Sequence, residues 1–314
     1  MSEDSRPSCS VLVPSFRRPS DLTRCLRALD GQTCPPAQVV VVARADDHET
    51  RQVIAAASQN LPITEVIVTA PGQVAALNSG LRAVVSDITA ITDDDAAPRT
   101  DWLQHMLTHF ADPTVAGVGG RDVVTGSFRT PQETVGLVRF QGRVVGNHHR
   151  GTGTARHVDV LKGTNMAFRT AWVRRFGFDA RLRGTGAQVH NDMLISLRIR
   201  AAGGILVYDP AVLVDHHPAI RAAGDPRTTW QFDAIRDESH NETIAVLEYL
   251  PAIRRGLYLA WAVLCGTKRN PGLLLLVALL PARRWRTVEA FAGSVAGRAL
   301  GVHSWITKDS QPAG

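Results

Sequence analysis

With 314 residues and 44% hydrophobic composition, the chain is long enough to bury one large core or two small ones, which excludes a disordered polymer. Its 35 basic and 29 acidic residues give a net charge of +6, and its pI near 9.6 favours anionic partners. Aromatics are only 6% and no nucleic-acid-binding motif occurs, so nucleic acid is set aside as a partner.

Four cysteines, Cys9, Cys25, Cys34 and Cys265, form no CxxC pair or zinc spacing. They read as reduced thiols of a cytoplasmic protein, in keeping with a polar, acidic start, "MSEDSRPSCS", unlike a signal peptide.

Residues 1–9 read as a disordered tail. From residue 10 the pattern alternates: "SVLVPS" as a strand, "PSDLTRCLRALDGQ" as a helix capped by Ser20, "AQVVVVAR" (37–44) as a second strand and "HETRQVIAAASQN" as a second helix. "ITEVIVTA" (63–70) predicts a third strand, "GQVAALNSGLRAVVSD" a third helix, and "ITAITDDD" a fourth strand running into an acidic triplet. Such alternation predicts a mostly parallel sheet with helices on both faces, whose ligands collect at the carboxyl ends of the strands.

Three segments then share one rim: "PSFRRP", "ARADD" and "DDDAAP". The first has no glycine, which disfavours an NAD or FAD site. Carboxylates packed as closely as Asp93, Asp94 and Asp95 repel one another unless a cation compensates, and Mg2+ or Mn2+ commonly bridges carboxylates to substrate phosphates. In an extended segment the first and third residues reach the same side, which selects Asp93 and Asp95 as metal ligands with Asp94 facing elsewhere. A cap for the helix in "PRTDWLQHMLTHF" is the alternative role for the triplet.

The segments "VLVPSFRRPSDLTRCLRALDGQT", "GQVAALNSGLRAV", "AITDDDAAPRTDWL", "LKGTNMAFRTAWVRRFGFDARL" and "NDMLISLRIRAAGGILVYDP" occur in the order seen in family 2 glycosyltransferases of the GT-A fold, which residues 10–220 resemble. The resemblance implies a GT-A catalytic domain with a mixed, mostly parallel sheet and an inverting transfer from a UDP-, GDP- or dTDP-sugar. It also implies a DxD element, "DDD", that carries Mn2+ or Mg2+ on the donor diphosphate, with Asp94 among the donor-binding residues. By the same resemblance Pro14, Ser15 and Arg17 line the nucleotide, Gln73 and Asn78 lie near the donor, and Gly163 and Asn165, with Arg121 and Asp122, border the donor sugar and acceptor. Asp192 matches the catalytic base, although Asn191 stands where a first acid is usual, and His190 lies beside it. A histidine after the strand in "YDPAVLVDHHP" matches an extra metal ligand, assigned to His216 rather than His217. After the second strand the usual nucleobase-contacting acid is displaced, leaving Arg44 for a phosphate or base and Asp46 nearby.

Residues 129–157, rich in Gly and His, read as a mobile flap. Beyond 220 the chain changes character, and 221–314 read as a helical region that interleaves apolar pieces with Arg254, Arg255, Lys268, Arg269, Arg283, Arg284 and Arg286. The apolar run "PGLLLLVALLP" is about half of the ~20 residues needed to span a bilayer. The region suits either the surface of an anionic membrane or a bundle packed on the catalytic domain or across a homodimer. The sequence therefore points to a transferase acting on a glycan or lipid-linked acceptor in cell-surface polysaccharide synthesis, peripheral at the inner face of the cell membrane. An inactive nucleotide-sugar-binding scaffold is the rival reading.

Overall fold

A computed structural model describes residues 6–124, 130–184, 186–217 and 231–307. The first five residues of the expected tail, Thr125 and Gly126 of the acceptor-side segment, residue 129 of the expected flap and the expected boundary at 220 lie outside the described residues. So do the side chains of 280–284, including Arg283 and Arg284.

In chain order the elements are β1 (Cys9–Pro14), α1 (Pro19–Asp30), β2 (Gln38–Arg44), α2 (His48–Ala57), β3 (Ile63–Val68), α3 (Gln73–Ala83), β4 (Ile88–Ile91), β5 (Ala96–Pro98) and α4 (Trp102–Thr108). There follow β6 (Val115–Val124), β7 (Leu137–Val138), β8 (Val144–Val145), β9 (Arg156–Val158), β10 (Met166–Arg169), α5 (Thr170–Phe176), α6 (Asn191–Ala201) and β11 (Ile205–His216). Three helices close the described chain: α7 (Phe232–Tyr249), α8 (Ala252–Leu264) and α9 (Leu273–Ile306).

The main sheet runs β3-β2-β1-β4-β10-β6-β11-β5, with β9 also on β11. β3, β2, β1 and β4 are parallel, as are β6 and β11, while β10, β5 and β9 run antiparallel to their neighbours. This is the expected mixed, mostly parallel architecture. β1 and β2 are apolar along nearly their whole length because helices cover both faces of the sheet. α1 buries Leu22, Cys25, Leu26 and Leu29, one helical stripe, against one face. On the other face Val74, Leu77 and Leu81 of α3 pack with Leu194 and Leu197 of α6.

Two local expectations change. Ser20 does not cap α1: Arg18 occupies the cap position without a side-chain bond, and Pro19 begins the helix, where its missing N–H costs nothing. The acidic triplet is not extended either, because β4 ends at Ile91 and the Ala96 N–H closes a turn onto the Asp93 carbonyl at 3.2 Å.

The described part of 130–157 is packed. The Tyr208 hydroxyl donates to the His148 carbonyl at 2.7 Å, and the buried His148 ring lies 2.8 Å from the Val160 carbonyl. The C-terminal helices pack on the sheet domain through α6 and α7. Arg198 of α6 donates to Glu248 of α7 at 2.7 Å, Arg181 bridges Glu248 and Asp179 at 2.6 Å each, and Arg198 also reaches Asp179. Gly293, Gly297 and Gly301, one turn apart on α9, let its backbone approach α7; a Cβ at Gly297 would stand 2.1 Å from the Arg236 carbonyl. Buried Arg298 joins all three helices, donating to the Tyr258 hydroxyl at 2.9 Å and to Glu242 at 3.2 Å. No helix among the described residues is long and apolar enough to cross a membrane.

Candidate active site

The sheet order explains how distant residues meet. The parallel strands β1, β2 and β4 end at Pro14, Arg44 and Ile91 on one rim. β10 runs antiparallel to β4, pairing Met166 with Ile91, so the segment just before it, 162–165, arrives at that rim. β11 pairs its last residue, His216, with Ala96, directly after the acidic turn. α6 then presents Asp192 from its first turn. Together these edges enclose a cleft of about 570 Å3 lined by Pro14, Ser15, Arg44, Gln73, Asp93, Asp94, Asp95, Gly163, Asp192 and His216, within the size range of small-ligand sites.

The three carboxylates point to different partners. Asp94 is buried and accepts from the Ser15 hydroxyl at 2.8 Å and from Arg18 at 3.0 Å, while Arg18 also lies 3.4 Å from Asp95. Burial pushes the Asp94 carboxyl up to about 7; Arg18 opposes this and the neighbouring Asp95 adds to it. Asp93 accepts from the Thr164 hydroxyl at 2.9 Å.

Asp95 Oδ1 lies 3.4 Å from His216 Nε2, and the other ring nitrogen of His216 lies 3.6 Å from Asp122, a fully buried carboxylate that also takes the Lys162 ammonium. Burial alone would lower the His216 pKa, but the Asp122 and Asp95 carboxylates outweigh it and raise it to about 9. Burial would likewise raise Asp122, but His216 and Lys162 bring it down to about 2. Among the described residues no three His, Cys, Asp or Glu side chains form a closed metal centre. Two or three oxygen and imidazole donors at an open rim do fit an ion that takes its remaining ligands from a substrate's phosphates, as Mg2+ and Mn2+ do.

Asp192 is oriented by two backbone donors, the Gly163 N–H on Oδ2 at 2.9 Å and the Met193 N–H on Oδ1 at 2.8 Å. Asn191 is buried beside it. Its amide donates to the Ala187 and Gln188 carbonyls at 3.2 Å each and to Gln73 at 3.3 Å, so it ties the turn before α6 to α3. A carboxylate has no proton for those carbonyls, which explains an amide here. His190 lines the cleft with a left-handed backbone, φ 71°, and its buried Nε2 has no hydrogen-bond partner. Gln188 crosses to α3, accepting from the Val74 N–H at 2.9 Å, and only a glycine fits at Gly72, where φ is 103° and a Cβ would meet Gln188 at 2.7 Å.

Six expected site residues do not line the cleft. Asn78 is spent on the backbone of Phe178, donating at 2.7 Å and accepting at 2.9 Å. Asn165 is fully buried between the Trp102 indole N–H, at 2.8 Å, and the Val212 carbonyl, at 2.9 Å. Arg17 turns outward to Asp46 at 3.5 Å, while its N–H is accepted by Asp47, which caps α2. Asp46 clamps Arg44 through two bonds of 2.9 Å. Arg121 is likewise away from the cleft lining, and Asp122 acts from beneath it.

The cleft also contains residues that the sequence did not assign to it: Phe16, Arg18, Lys162, Thr164, Glu238 and Arg269. Phe16 offers a half-exposed ring beneath the Arg44 guanidinium, 4.5 Å from the ring centre. The signal was present in "PSFRRP", an aromatic beside two arginines at a strand's carboxyl end. Glu238 and Arg269 come from α7 and the turn between α8 and α9 and are joined at 3.0 Å. No local pattern announced them.

A family model described as "Glycosyltransferase like family 2" matches residues 7–236. The chain is 29% identical over 225 residues to the pre-mycofactocin glycosyltransferase of Mycobacterium tuberculosis, covering 68% of this chain and 44% of that protein. It is 27% identical over 118 residues to the glycosyltransferase AglE of Haloferax volcanii, 36% of this chain and 39% of that one. The matches thus span less than half the length of these curated relatives. Among solved structures, the mannosyltransferase PcManGT from Pyrobaculum calidifontis, in complex with GDP-Man and Mn2+, has a TM-score of 0.58 at 20% identity, covering 98% of this chain and 88% of that one. Residues 1–349 of S. aureus TarS, in complex with UDP, give 0.61 at 14% identity, covering 98% and 93%.

Proposed function

The chain belongs to glycosyltransferase family 2, and from that premise we propose that it is a metal-dependent, inverting transferase. In this reading it moves a sugar from a UDP-, GDP- or dTDP-donor to a glycan or lipid-linked acceptor of the cell surface, at the cytoplasmic face of the membrane. The observation that carries it is the pairing of an acidic turn, Asp93 to Asp95, with an oriented carboxylate, Asp192, within one cleft.

The nucleotide enters past Pro14, Ser15 and Gln73, with its base against Phe16 and Arg44. Asp93, Asp95 and His216 would hold Mn2+ or Mg2+, which would supply Lewis-acid stabilisation of the departing diphosphate. The PcManGT structure, which holds GDP-Man and Mn2+, supports this assignment by likeness of fold. Asp192 accepts the acceptor hydroxyl's proton as that oxygen bonds to the anomeric carbon and the sugar–phosphate bond breaks on the opposite face. Its two backbone donors hold the carboxylate in one orientation, which confines proton transfer to one line of approach.

The test is calorimetric binding of a panel of UDP-, GDP- and dTDP-sugars with Mn2+, with chelator, and with Asp95→Ala, followed by detection of released nucleotide. One donor that binds only with metal and is lost in Asp95→Ala is the expected result. Failure of every donor to bind, or binding indifferent to metal and to Asp95, overturns the reading. Donor binding with no turnover against any acceptor returns the rival, an inactive nucleotide-sugar-binding scaffold.

A further inference from the structure

The start of α9, residues 273–279, is an apolar helix end that the fold leaves uncovered. Between 273 and 279 every residue is apolar and none is buried; Leu274 is 61% exposed and Val277 66%. Among the side chains described, those of α9 become buried from Thr287 onward, where the helix meets α7. On α8, Ile253, Leu257, Ala260 and Leu264 recur at helical spacing along one exposed stripe. Arg254 lies over the ring of exposed Phe140, placing that aromatic beside the first turn of α8, and Trp285 is 82% exposed.

The two apolar pieces meet at the turn 265–272, closed by the Gly272 N–H on the Cys265 carbonyl at 3.0 Å. That turn carries Arg269, which lines the cleft together with Glu238. The apolar face and the cleft therefore share an edge.

Charge selects what covers the face. Residues 251–307 hold eight basic residues against one acidic, whereas the rest of the chain holds 27 against 28 and is nearly neutral. The exposed apolar face thus lies in the segment that carries the chain's whole positive excess, with Lys268 and Arg286 exposed beside it. A second copy docked through the same face about a two-fold axis would bring two such segments together. An anionic bilayer complements both properties at once: apolar side chains enter the acyl boundary and cations meet lipid phosphates.

We propose that α8, the turn 265–272 and the start of α9 form a docking surface for an anionic bilayer, which holds the mouth of the cleft at the lipid headgroups. The acceptor that enters past Arg269 is then a lipid-anchored one; this clause rests on the transferase reading above, whereas the docking surface does not.

The full chain is sedimented with vesicles of phosphatidylcholine alone and of phosphatidylcholine mixed with phosphatidylglycerol. Expected is binding to the mixed vesicles that weakens with salt. It should fall roughly tenfold or more in Leu274→Glu/Val277→Glu and be unchanged in Val85→Glu, a change of the same kind at an 80% exposed site remote in sequence. Circular dichroism and donor binding that match the unmodified chain show that the double variant is folded. Absence of vesicle binding, equal binding to both vesicles, or equal binding by the double variant overturns the proposal. So does a dimer in sedimentation equilibrium that the double variant abolishes, which assigns the face to a second copy. Vesicle binding without donor binding would sink the transferase reading and leave the docking surface standing; donor binding without vesicle binding does the reverse.

Discussion

Asp94 and Asp179 are both aspartates with little exposed side-chain surface, each facing arginine, and their carboxyls move in opposite directions. Asp94 is pushed up to about 7, whereas Asp179, with Arg181 and Arg198 on it, is held well below the ordinary 3.8 despite burial. The cluster of Asp179, Arg181, Arg198 and Glu248 sets two acids against two arginines. In the cleft, Asp93, Asp94 and Asp95 crowd one turn, and burial works against ionisation of Asp94. The first arrangement fastens the C-terminal helices to α6; the second suits a site that receives a cation with its substrate.

The largest effect that sharpens this contrast is expected at Asp192. Asp192→Asn keeps the shape of the side chain and removes the base, so single-turnover transfer should slow by about 10²- to 10⁴-fold. Donor affinity by calorimetry should stay unchanged; a variant that transfers at the normal rate would break the assignment.

Asp179→Asn should act on folding instead. Removing one partner of a buried pair costs about 3–5 kcal/mol, read as a lower urea midpoint, with donor affinity retained below the transition. Because the folded carboxyl lies below its unfolded value of 3.8, its contribution is full above about pH 4 and is lost as pH falls through the folded value. The variant should therefore lose less stability than the parent on acidification below about pH 4; parallel acid limbs would contradict the pairing.

A smaller effect is expected one step removed from the cleft floor. Asp122 holds one ring nitrogen of His216 while the other faces Asp95, so Asp122→Asn should weaken Mn2+ binding about 10- to 100-fold, measured by electron paramagnetic resonance without turnover. Adding His216→Ala to that variant should weaken it little further. Additive losses would show that the two residues act separately.

Much of the sheet was legible because β1, β2 and β4 are largely apolar runs and β3 a β-branched one, set between helical segments, and the acidic turn was legible because three adjacent carboxylates have few physical explanations. Other features depended on pairings that no local pattern carries. β5, β9 and β10 are three or four residues long, below the length at which alternation declares a strand. α9 runs on through Pro281, although a proline inside a helix removes a backbone hydrogen bond. A motif match carried no information on whether the amides of Asn78 and Asn165 were already engaged by Phe178 and Val212. Lys162 escaped notice because its partner, Asp122, lies 40 residues away on β6.

The antiparallel placement of β10 beside β4 has a kinetic consequence. Ser15, Asp94, Gly163, Asp192 and His216 reach one cleft only after the chain has closed loops of up to about two hundred residues, and contacts of such long range form late. During synthesis the amino-terminal βα units can collapse as soon as they emerge, yet the cleft is not complete until β11 has paired with β6 and β5. Ligand capture is therefore a readout of the finished fold, and a nucleotide held in the cleft would clamp the earliest and latest strands of the sheet against local opening.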